Sequence, residues 1–354
     1  MSIDNKLDDN EPKHQRRQRY NGTHPKNFKE KYKELNPEQY ADDIAKIIQK
    51  GNTPAGMHIS ICVKEILDFL QIKPGQTGLD ATLGYGGHTL EMLKCLDSKG
   101  RMYAIDVDPI ELPRTKDRLE RLGYGSEILE LKQMNFSQID EVTSKSEPFN
   151  FILADLGVSS MQIDNPERGF TFKAEGPLDL RLNPNIGISA ADLLKEMTLF
   201  EIEDMLIENA DEPNAAAIAR AILSNIKKGY GISTTTGLRN IIKDALKYVP
   251  KIKDEDIKKS CQRTFQALRI NVNHEFEVLD EFLEKLPEVL ATGGRVAILT
   301  FHSGEDRRVK KSFQRFLREG VYLDIATEPI RPSAAECNVN SRARSAKLRW
   351  AIKA

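Results

Sequence analysis

Glycines and aspartates follow three short apolar segments in the first half of the chain, at a spacing typical of a nucleotide pocket. Gly84, Gly86 and Gly87 let the backbone approach a ligand closely and leave N–H groups free at the next helix start. Asp106 comes about 20 residues later, where a carboxylate can accept hydrogen bonds from ribose hydroxyls. Asp155 ends a further apolar segment. The pattern indicates a site for an adenosine-containing ligand.

This turn departs from the two common phosphate-binding motifs. Thr89 stands where a dinucleotide fingerprint would have a third small residue, and no Lys-Ser or Lys-Thr pair follows, as a nucleoside triphosphate loop requires. The remaining possibility is an adenosine site without phosphate clamping, which S-adenosylmethionine would fit. A tight turn of no function is the alternative, and a nicotinamide dehydrogenase is disfavoured by the missing third glycine.

Short strands alternating with helices should position these residues. The pattern predicts helices at 61–70, 87–96 and 109–122, and strands at 77–81, 101–105, 128–132 and 149–154. This alternation favours an α/β fold with an open parallel sheet, in which ligands bind beyond the carboxyl ends of the strands.

A helical segment interrupts that alternation. Thr198-Leu199-Phe200-Glu201 is a capping box, a long helix is predicted over 255–286, and a strand returns at 295–301. We therefore expect a sheet domain formed by 56–184 and 263–354, with an inserted all-helical domain at 185–262. Residues 1–55 are expected to be a basic, partly disordered extension with a helix near 36–50.

Arginines and aromatic residues after Asp155 are candidates for RNA contacts. Arg168, Phe170, Phe172 and Arg181 are the residue types that a loop needs to hold phosphates and stack on an unstacked base. The alternative for each phenylalanine is that its ring fills the protein's own core.

Further candidates lie on the insertion, just after it, and after the last predicted strand. Arg220, Arg263 and Arg269 could contact phosphates or could pair with carboxylates of the insertion. His302 follows an apolar strand and could reach the same pocket, or could be a hydrogen-bonded structural residue. Both ends of the chain are rich in Lys and Arg, which suggests contact with a polyanion.

Composition excludes several classes of protein. The chain has 354 residues with 52 Lys and Arg against 53 Asp and Glu, and no apolar run reaches the ~20 residues of a membrane helix. Its polar start is unlike a secretory signal, so a cytoplasmic protein is expected. The four cysteines, at 62, 95, 261 and 337, form no Cys-x-x-Cys pair, so neither a disulfide framework nor a metal site is expected.

Separated blocks give the chain a family resemblance. They are Gly84-Tyr85-Gly86-Gly87-His88, Asp106-Val107-Asp108-Pro109, Asp155-Leu156-Gly157-Val158-Ser159-Ser160, Arg168-Gly169-Phe170-Thr171-Phe172 with Gly176-Pro177-Leu178-Asp179, Arg263-Thr264-Phe265-Gln266-Ala267-Leu268-Arg269-Ile270, Phe301-His302-Ser303 with Glu305-Asp306-Arg307, and Arg342-Ala343-Arg344-Ser345-Ala346-Lys347-Leu348-Arg349. From about residue 58 to the end, the chain resembles the small-subunit rRNA cytosine-N4 methyltransferases, the MraW or RsmH family.

The resemblance implies a fold, a reaction and a partner. The fold would be the class I S-adenosylmethionine-dependent methyltransferase fold, a Rossmann-like parallel sheet with an inserted helical domain. The reaction would transfer a methyl group to N4 of a cytidine in the decoding region of bacterial small-subunit (16S) rRNA. The partner would be that rRNA or the small ribosomal subunit; the oligomeric state is left unknown.

The resemblance also implies which residues contact the cofactor. They are Gly86, Gly87, His88, Asp106, Phe136, Asp155 and Gln162. Our hypothesis from the chemistry is that Asp155 is in addition catalytic and accepts the N4–H of the target amine. The alternative is that it is a cofactor ligand only.

The chain departs from the family pattern in three places. Its N-terminus is longer, His58-Ile59-Ser60-Ile61-Cys62 lacks the usual proline, and Gly304 stands where the Phe-His-Ser block usually has leucine. These departures leave open a diverged copy that methylates another RNA. An RNA-binding assembly factor with an inactive cofactor site is a second alternative.

Overall fold

A computed structural model describes residues 60–143 and 147–354. Predictions for the N-terminal extension and for the helix near 36–50 lie outside these residues. Seven strands are present within these two ranges: β1 Thr77–Asp80, β2 Arg101–Asp106, β3 Leu129–Gln133, β4 Phe149–Asp155, β5 Leu290–Thr300, β6 Tyr322–Ile325 and β7 Lys347–Lys353. They form one sheet in the order β3-β2-β1-β4-β5-β7-β6.

The first five strands are parallel, and β7 runs antiparallel between β5 and β6. This sheet confirms the predicted α/β fold of the class I methyltransferase type. The order reverses between β1 and β4, which in open α/β sheets is where ligands bind. Because β7 is antiparallel, the residues that precede it lie at the same edge as the carboxyl ends of the parallel strands.

Thirteen α-helices are described within these residues. They are α1 Val63–Leu70, α2 Gly87–Leu96, α3 Glu111–Arg121, α4 Ile139–Thr143, α5 Ser160–Asp164, α6 Ala190–Glu196, α7 Leu199–Ala210, α8 Ala215–Lys227, α9 Thr235–Leu246, α10 Asp254–Asn273, α11 Glu275–Val289, α12 Ser303–Arg318 and α13 Ala334–Val339. None of them combines the length and apolar character that crossing a bilayer requires.

Hydrophobic clusters cover both faces of the sheet. Ile152 points into a cluster with Phe282 of α11 and Phe313 of α12, whereas its neighbour Leu153 points into a cluster with Leu93 of α2. Alternate residues of a strand face opposite sides, so burial on both faces explains the continuous apolar run of β4.

A third cluster lies among helices α6 to α10. The capping box predicted at Thr198 is present and begins α7. Helix α10 continues through residue 262, so the predicted domain boundary at 262/263 falls inside a helix. The division into a sheet domain and an inserted domain stays a prediction.

Two predicted elements differ in the structure. The single helix expected over 255–286 is two helices, because His274 adopts a left-handed conformation with φ of 50° between them. Strand β5 begins at Leu290, five residues before the predicted start. Leu290, at the start of β5, pairs with Phe149, and the register then shifts before Arg295 pairs with Phe151. Gly293, with φ of 73°, accommodates this shift.

Candidate functional site

A cavity of about 450 Å³ opens at the carboxyl edge of the sheet, where the strand order reverses. Residues that end or follow strands β1 to β5 line it, which is where the sequence predicted a pocket. Small-molecule sites in proteins are typically of 300–1,000 Å³. The cavity is thus large enough for a nucleoside-sized ligand.

The glycine turn after β1 supplies backbone to the cavity wall. Gly84 and Gly86 have φ of 47° and 65°, a conformation that side chains disfavour, and Gly86 is the N-cap of α2. Gly84 and Gly87 line the cavity, whereas a Cβ at Gly86 would lie 3.0 Å from Thr115. Gly86 therefore shapes the turn against α3.

Asp106, at the end of β2, holds this turn in place. Its carboxylate accepts hydrogen bonds from the backbone N–H of Gly84 at 2.7 Å and of Asp108 at 2.8 Å. Burial raises the pKa of Asp106 to about 6. Because each carboxylate oxygen has two lone pairs, Asp106 can still accept a bond from a ligand hydroxyl.

Asp155 ends β4, and its side chain lines the cavity. Its Oδ1 atom is buried and has no hydrogen-bond partner among the described residues. Burial raises the pKa of Asp155 to about 6, although the nearby His88 acts in the opposite direction. A buried acceptor without a partner is costly, which indicates that a ligand donor completes the site.

His88 connects Asp155 to the start of the described chain. Its Nε2 atom lies 2.9 Å from the carbonyl oxygen of Ile61, and its Nδ1 atom lies 3.5 Å from Oδ2 of Asp155. Because a carbonyl oxygen only accepts, Nε2 carries a proton. Nδ1 is then the ring atom that faces the carboxylate.

Phe136 and Gln162, two more of the predicted cofactor residues, also line the cavity, whereas Gly86 does not. Phe136 follows β3 and packs edge-on against Phe282, with ring centres 5.0 Å apart. Gln162 accepts from the N–H of Ser159 at 2.8 Å and donates to Asp108 at 2.7 Å. Both ends of the Gln162 amide are thus already held by the protein.

The structure places two predicted RNA contacts inside the protein. Arg168 is only 7% exposed, and it donates to Asp108 at 2.8 Å and to the carbonyl of Leu182 at 2.7 Å. Phe170 is buried in the cluster among the helices. Phe172 packs on Phe265 at 5.3 Å. These residues fill a core and neutralise a buried carboxylate, which corrects the expectation for Arg168 and Phe170.

Three of the other predicted arginines are near carboxylates. Arg181 donates to Asp179 at 2.7 and 2.8 Å, and Arg263 lies 3.8 Å from Glu212. Arg269 makes two 2.8 Å hydrogen bonds with Glu275. Pairing with a carboxylate of the insertion, the alternative considered above, therefore describes Arg263, whereas Arg269 pairs with a carboxylate outside the insertion.

Arg220 is exposed, and His302 lines the cavity. The Nε2 atom of His302 lies 3.1 Å from Oε1 of Glu305. Burial raises the pKa of Glu305, but His302 and Arg269 outweigh burial and hold it below its ordinary value. Glu305 is therefore a carboxylate.

Sequence reasoning missed several members of the wall. Glu275, Glu305 and Arg342 line the cavity, and Arg342 donates to Asp164 at 2.7 Å. The only signal for Glu305 and Arg342 was their place in two of the family's sequence blocks.

The ligating atoms of Glu275, His302 and Glu305 lie within 4.8 Å of one another, a spacing suited to a metal ion. However, both oxygens of Glu275 are taken by Arg269.

Acidic residues dominate the wall of the cavity. The five carboxylates are Asp106, Glu111, Asp155, Glu275 and Glu305, against the two guanidinium groups of Arg269 and Arg342. Opposite charges attract strongly in a partly dehydrated pocket. The wall therefore suits a ligand that carries positive charge and hydrogen-bond donors.

Comparison with known proteins gives consistent matches. The sequence profile of the MraW methylase family matches residues 55–354. The chain is 74% identical over 349 residues to ribosomal RNA small subunit methyltransferase H 2 of Alkaliphilus metalliredigens, covering 98% of this chain and all of that protein. It is 36% identical over 300 residues to ribosomal RNA small subunit methyltransferase H of Acidobacterium capsulatum, covering 84% of this chain and 98% of that protein.

A solved structure also matches. A putative rRNA methylase from Clostridium thermocellum is 14% identical with a TM-score of 0.41, covering 84% of this chain and all of that one.

Proposed function

The chain belongs to the MraW methylase family, and on this premise we propose that it methylates N4 of a cytidine in the decoding region of small-subunit rRNA. Its family and its relatives identify it as an S-adenosylmethionine-dependent methyltransferase of small-subunit rRNA. The observation that supports the finer part is the unpaired, buried Oδ1 of Asp155 at the switch point of the sheet.

The cavity fits S-adenosylmethionine in charge and size. The cofactor has a positively charged sulfonium, and the wall is mainly acidic. Asp106 would accept from the ribose hydroxyls, Phe136 would pack near the adenine, and the Gly84–Gly87 turn would let backbone approach. When bound, the cofactor supplies an electrophilic methyl group.

Asp155 would orient the target amine. The lone pair of cytosine N4 is delocalised into the ring, so drawing one N4–H toward an acceptor favours the pyramidal nitrogen that reacts. The carboxylate of Asp155 offers such an acceptor on the cavity wall at the end of β4, and its Oδ1 atom has no partner among the described residues. Most of the catalysis would come from holding the reacting atoms in line at about 3–3.5 Å.

The reaction also releases a proton, because one N4–H is replaced by a methyl group. Asp155 and His88 would hold it, since Oδ2 and Nδ1 lie 3.5 Å apart and burial raises the pKa of Asp155 to about 6. Glu305, a carboxylate on the same wall, adds negative charge that favours a proton in this part of the cavity.

The insertion would recognise substrate. We propose the division into a sheet domain at 56–184 and 263–354 and a helical substrate-recognition domain at 185–262. Helix α10 spans the boundary between them: it belongs to the cluster among the helices and also carries Gln266, Arg269 and Asn273 on the cavity wall. The helix could therefore link an RNA contact on the insertion to the reaction site.

Mass spectrometry of rRNA nucleosides tests this function. Cells lacking the protein should lose N4-methylated cytidine from small-subunit rRNA, and the wild-type protein should restore it. Asp155→Asn, supplied at equal protein level, should not. Unchanged N4-methylated cytidine in the deletion strain would contradict the proposal.

A second candidate is a diverged paralogue that methylates another RNA. Four relatives at 56–74% identity span 97–98% of this chain and carry the number 1 or 2 after their names. Relatives at 36–39% identity span 84% of it and carry no number. Mapping the lost methyl group in the same deletion strain to an RNA other than 16S rRNA would favour this candidate.

The non-catalytic assembly factor considered from the sequence is not supported, because the chain belongs to a methylase family over residues 55–354.

A further inference from the structure

Charge is distributed unequally within the helical region. Between residues 185 and 214, which include α6 and α7, there are eight acidic residues and one lysine. Between 239 and 263, from α9 into α10, there are eight basic and four acidic residues. A polyanion would therefore be repelled by the first part and attracted by the second.

The basic residues concentrate where α9 ends and α10 begins. We call residues 243–259 the α9–α10 tip. Its exposed lysines are Lys243, Lys247, Lys251, Lys253, Lys258 and Lys259. Within the described part of the chain only Lys259 of these forms an ion pair, with Glu255 at 3.1 Å. The other five ammonium groups are available to an external anion.

An exposed aromatic ring lies among these lysines. Tyr248 is 82% exposed, the largest exposure of any large hydrophobic residue described. The ammonium group of Lys247 lies 5.6 Å from the centre of its ring. An aromatic surface beside several cations is the combination on which single-stranded nucleic acids bind, through base stacking and phosphate contacts.

Helix α10 connects this tip to the reaction site. It runs from Asp254 to Asn273, and its last two turns carry Arg269 and Asn273 on the cavity wall. At 1.5 Å per residue, Lys253 and Arg269 are about 24 Å apart along the helix axis. RNA held at the tip would thus be positioned at a fixed distance from the cavity.

We propose that the α9–α10 tip is an RNA-binding surface, on which Tyr248 stacks with an unpaired base and the lysines contact neighbouring phosphates. The proposal rests on the proposed function, because it takes the substrate to be rRNA. It names a contact outside the cavity that contributes to substrate binding and not to the chemical step.

The chain offers a matched control at the other end of α9. Tyr230 is 68% exposed and stands beside the exposed Lys227 and Lys228. The test variant is Tyr248→Ala with Lys247→Gln and Lys251→Gln. The control is Tyr230→Ala with Lys227→Gln and Lys228→Gln, which removes the same groups and the same charge.

Binding is measured on deproteinised 16S rRNA and on small subunits from cells lacking this protein, over a range of salt concentrations. Tyr248→Ala alone should raise KM for rRNA by about 5- to 100-fold, as expected when one base no longer stacks. The two lysine substitutions should reduce the slope of log affinity against log salt by about 1.4. The kcat value, the affinity for S-adenosylmethionine and the melting temperature should not change.

Three results would overturn the proposal. The tip variant could bind rRNA as the wild type does, or the control could lose as much affinity as the tip variant. Weakened binding to small subunits with unchanged binding to deproteinised rRNA would identify a ribosomal protein as the partner. If the wild type neither binds nor methylates small-subunit rRNA, the proposed function itself fails, and this inference fails with it.

Discussion

At the scale of single residues, the site depends on partly buried carboxylates whose loss of solvation is not fully compensated. Asp155 and Asp106 both have a pKa raised to about 6 by burial. In the folded protein each binds a proton more tightly than in the unfolded chain. Each therefore contributes stability that is present at low pH and is lost as the pH rises through about 6. At neutral pH both carboxylates are charged although burial disfavours the charge, so they lower the stability of the fold while they supply the negative charge that the site uses.

Asp155→Asn should separate the effect of this carboxylate on turnover from its effect on stability. Turnover should fall by at least about 100-fold, because the negative charge is lost and one acceptor oxygen is replaced by an NH2 group that donates. Removing the buried charge should leave the melting temperature unchanged or raise it by about 2–4 °C. Steady-state kinetics and thermal unfolding measure both. A variant that unfolds more easily and loses activity only in proportion would contradict this view.

The pH dependence of kcat/KM tests the role of Asp155 independently. In the wild type, log kcat/KM should fall below pH 6 with a slope that approaches two, because two carboxylates become protonated. In Asp155→Asn the slope should approach one, since Asp106 alone remains. An unchanged profile would mean that Asp155 does not titrate in the productive state.

Arg168 shows why residue type alone is a weak guide to function. A loop rich in arginine and phenylalanine suggested RNA contacts, but the sequence could not show that Asp108 is fully buried beside Arg168. The residue type alone does not distinguish an arginine that is buried from one that binds phosphate. By contrast, Asp106 and Asp155 were predictable because the ends of parallel strands converge.

Arg168→Met tests the structural role of this residue. Leaving Asp108 buried without its partner should cost about 3–5 kcal/mol in the free energy of unfolding. Arg220→Met, at an exposed site, should cost less than about 0.5 kcal/mol. Denaturant unfolding measures both, and Asp108→Asn added to Arg168→Met should recover part of the loss. A stable Arg168→Met protein with weakened RNA binding would restore the original expectation.

At the scale of elements, the break between α10 and α11 was not predictable from periodicity. Apolar residues continue at helical spacing through His274, so the pattern indicated one helix. In the structure Asn273 donates to the carbonyl oxygens of Leu180 and Arg269, and His274 turns the chain with φ of 50°. This contact with a distant loop is a tertiary effect that overrides local propensity.

The stability of the protein should depend on which residue occupies position 274, where the chain turns between α10 and α11. His274→Val should lower stability by about 1–3 kcal/mol, because a β-branched residue is strained at positive φ. His274→Gly should stay within about 1 kcal/mol of the wild type, because glycine adopts this conformation freely. Chemical denaturation compares the two variants. Equal stability of the valine and glycine variants would show that the helix does not break here.

Gly304, one departure from the family pattern, has a structural partner. A Cβ at this position would lie 2.5 Å from Cζ of Phe276, and that ring in turn packs under Arg308 at 4.2 Å. The buried Phe276 therefore occupies the space that a side chain at 304 would need. The departure is a change in packing between α11 and α12.

A double-mutant cycle tests this coupling. Gly304→Ala should destabilise the protein by about 1–3 kcal/mol through overpacking. Combined with Phe276→Leu, the same change should cost at least about 1 kcal/mol less. Additive effects of the two substitutions would contradict direct packing between these positions.

At the scale of the whole molecule, the sheet was predictable because its strands are short, apolar and separated by helices of ordinary length. The strand boundaries of β1 to β4 lie within one residue of their predicted positions. The sequence did not reveal the place of β7 between β5 and β6, since antiparallel insertion into a parallel sheet leaves no periodic signal. That insertion brings Arg342 to the cavity, so the missed topology and the missed site residue have one cause.

The distribution of charge over the whole chain leads to a last prediction, for residues outside the described structure. Between positions 13 and 33 there are eight Lys or Arg and one acidic residue. If this segment binds rRNA, deleting residues 1–50 should reduce the slope of log affinity against log salt by about 0.7 for each phosphate that the segment neutralises. A full-length variant with these eight residues changed to Gln should reduce the slope equally, because charge and not chain length carries the effect. Affinity for S-adenosylmethionine, measured by calorimetry on both proteins, should stay constant, since the family match begins at residue 55. An unchanged salt slope in both proteins would exclude the segment from binding and leave the α9–α10 tip to account for the salt dependence.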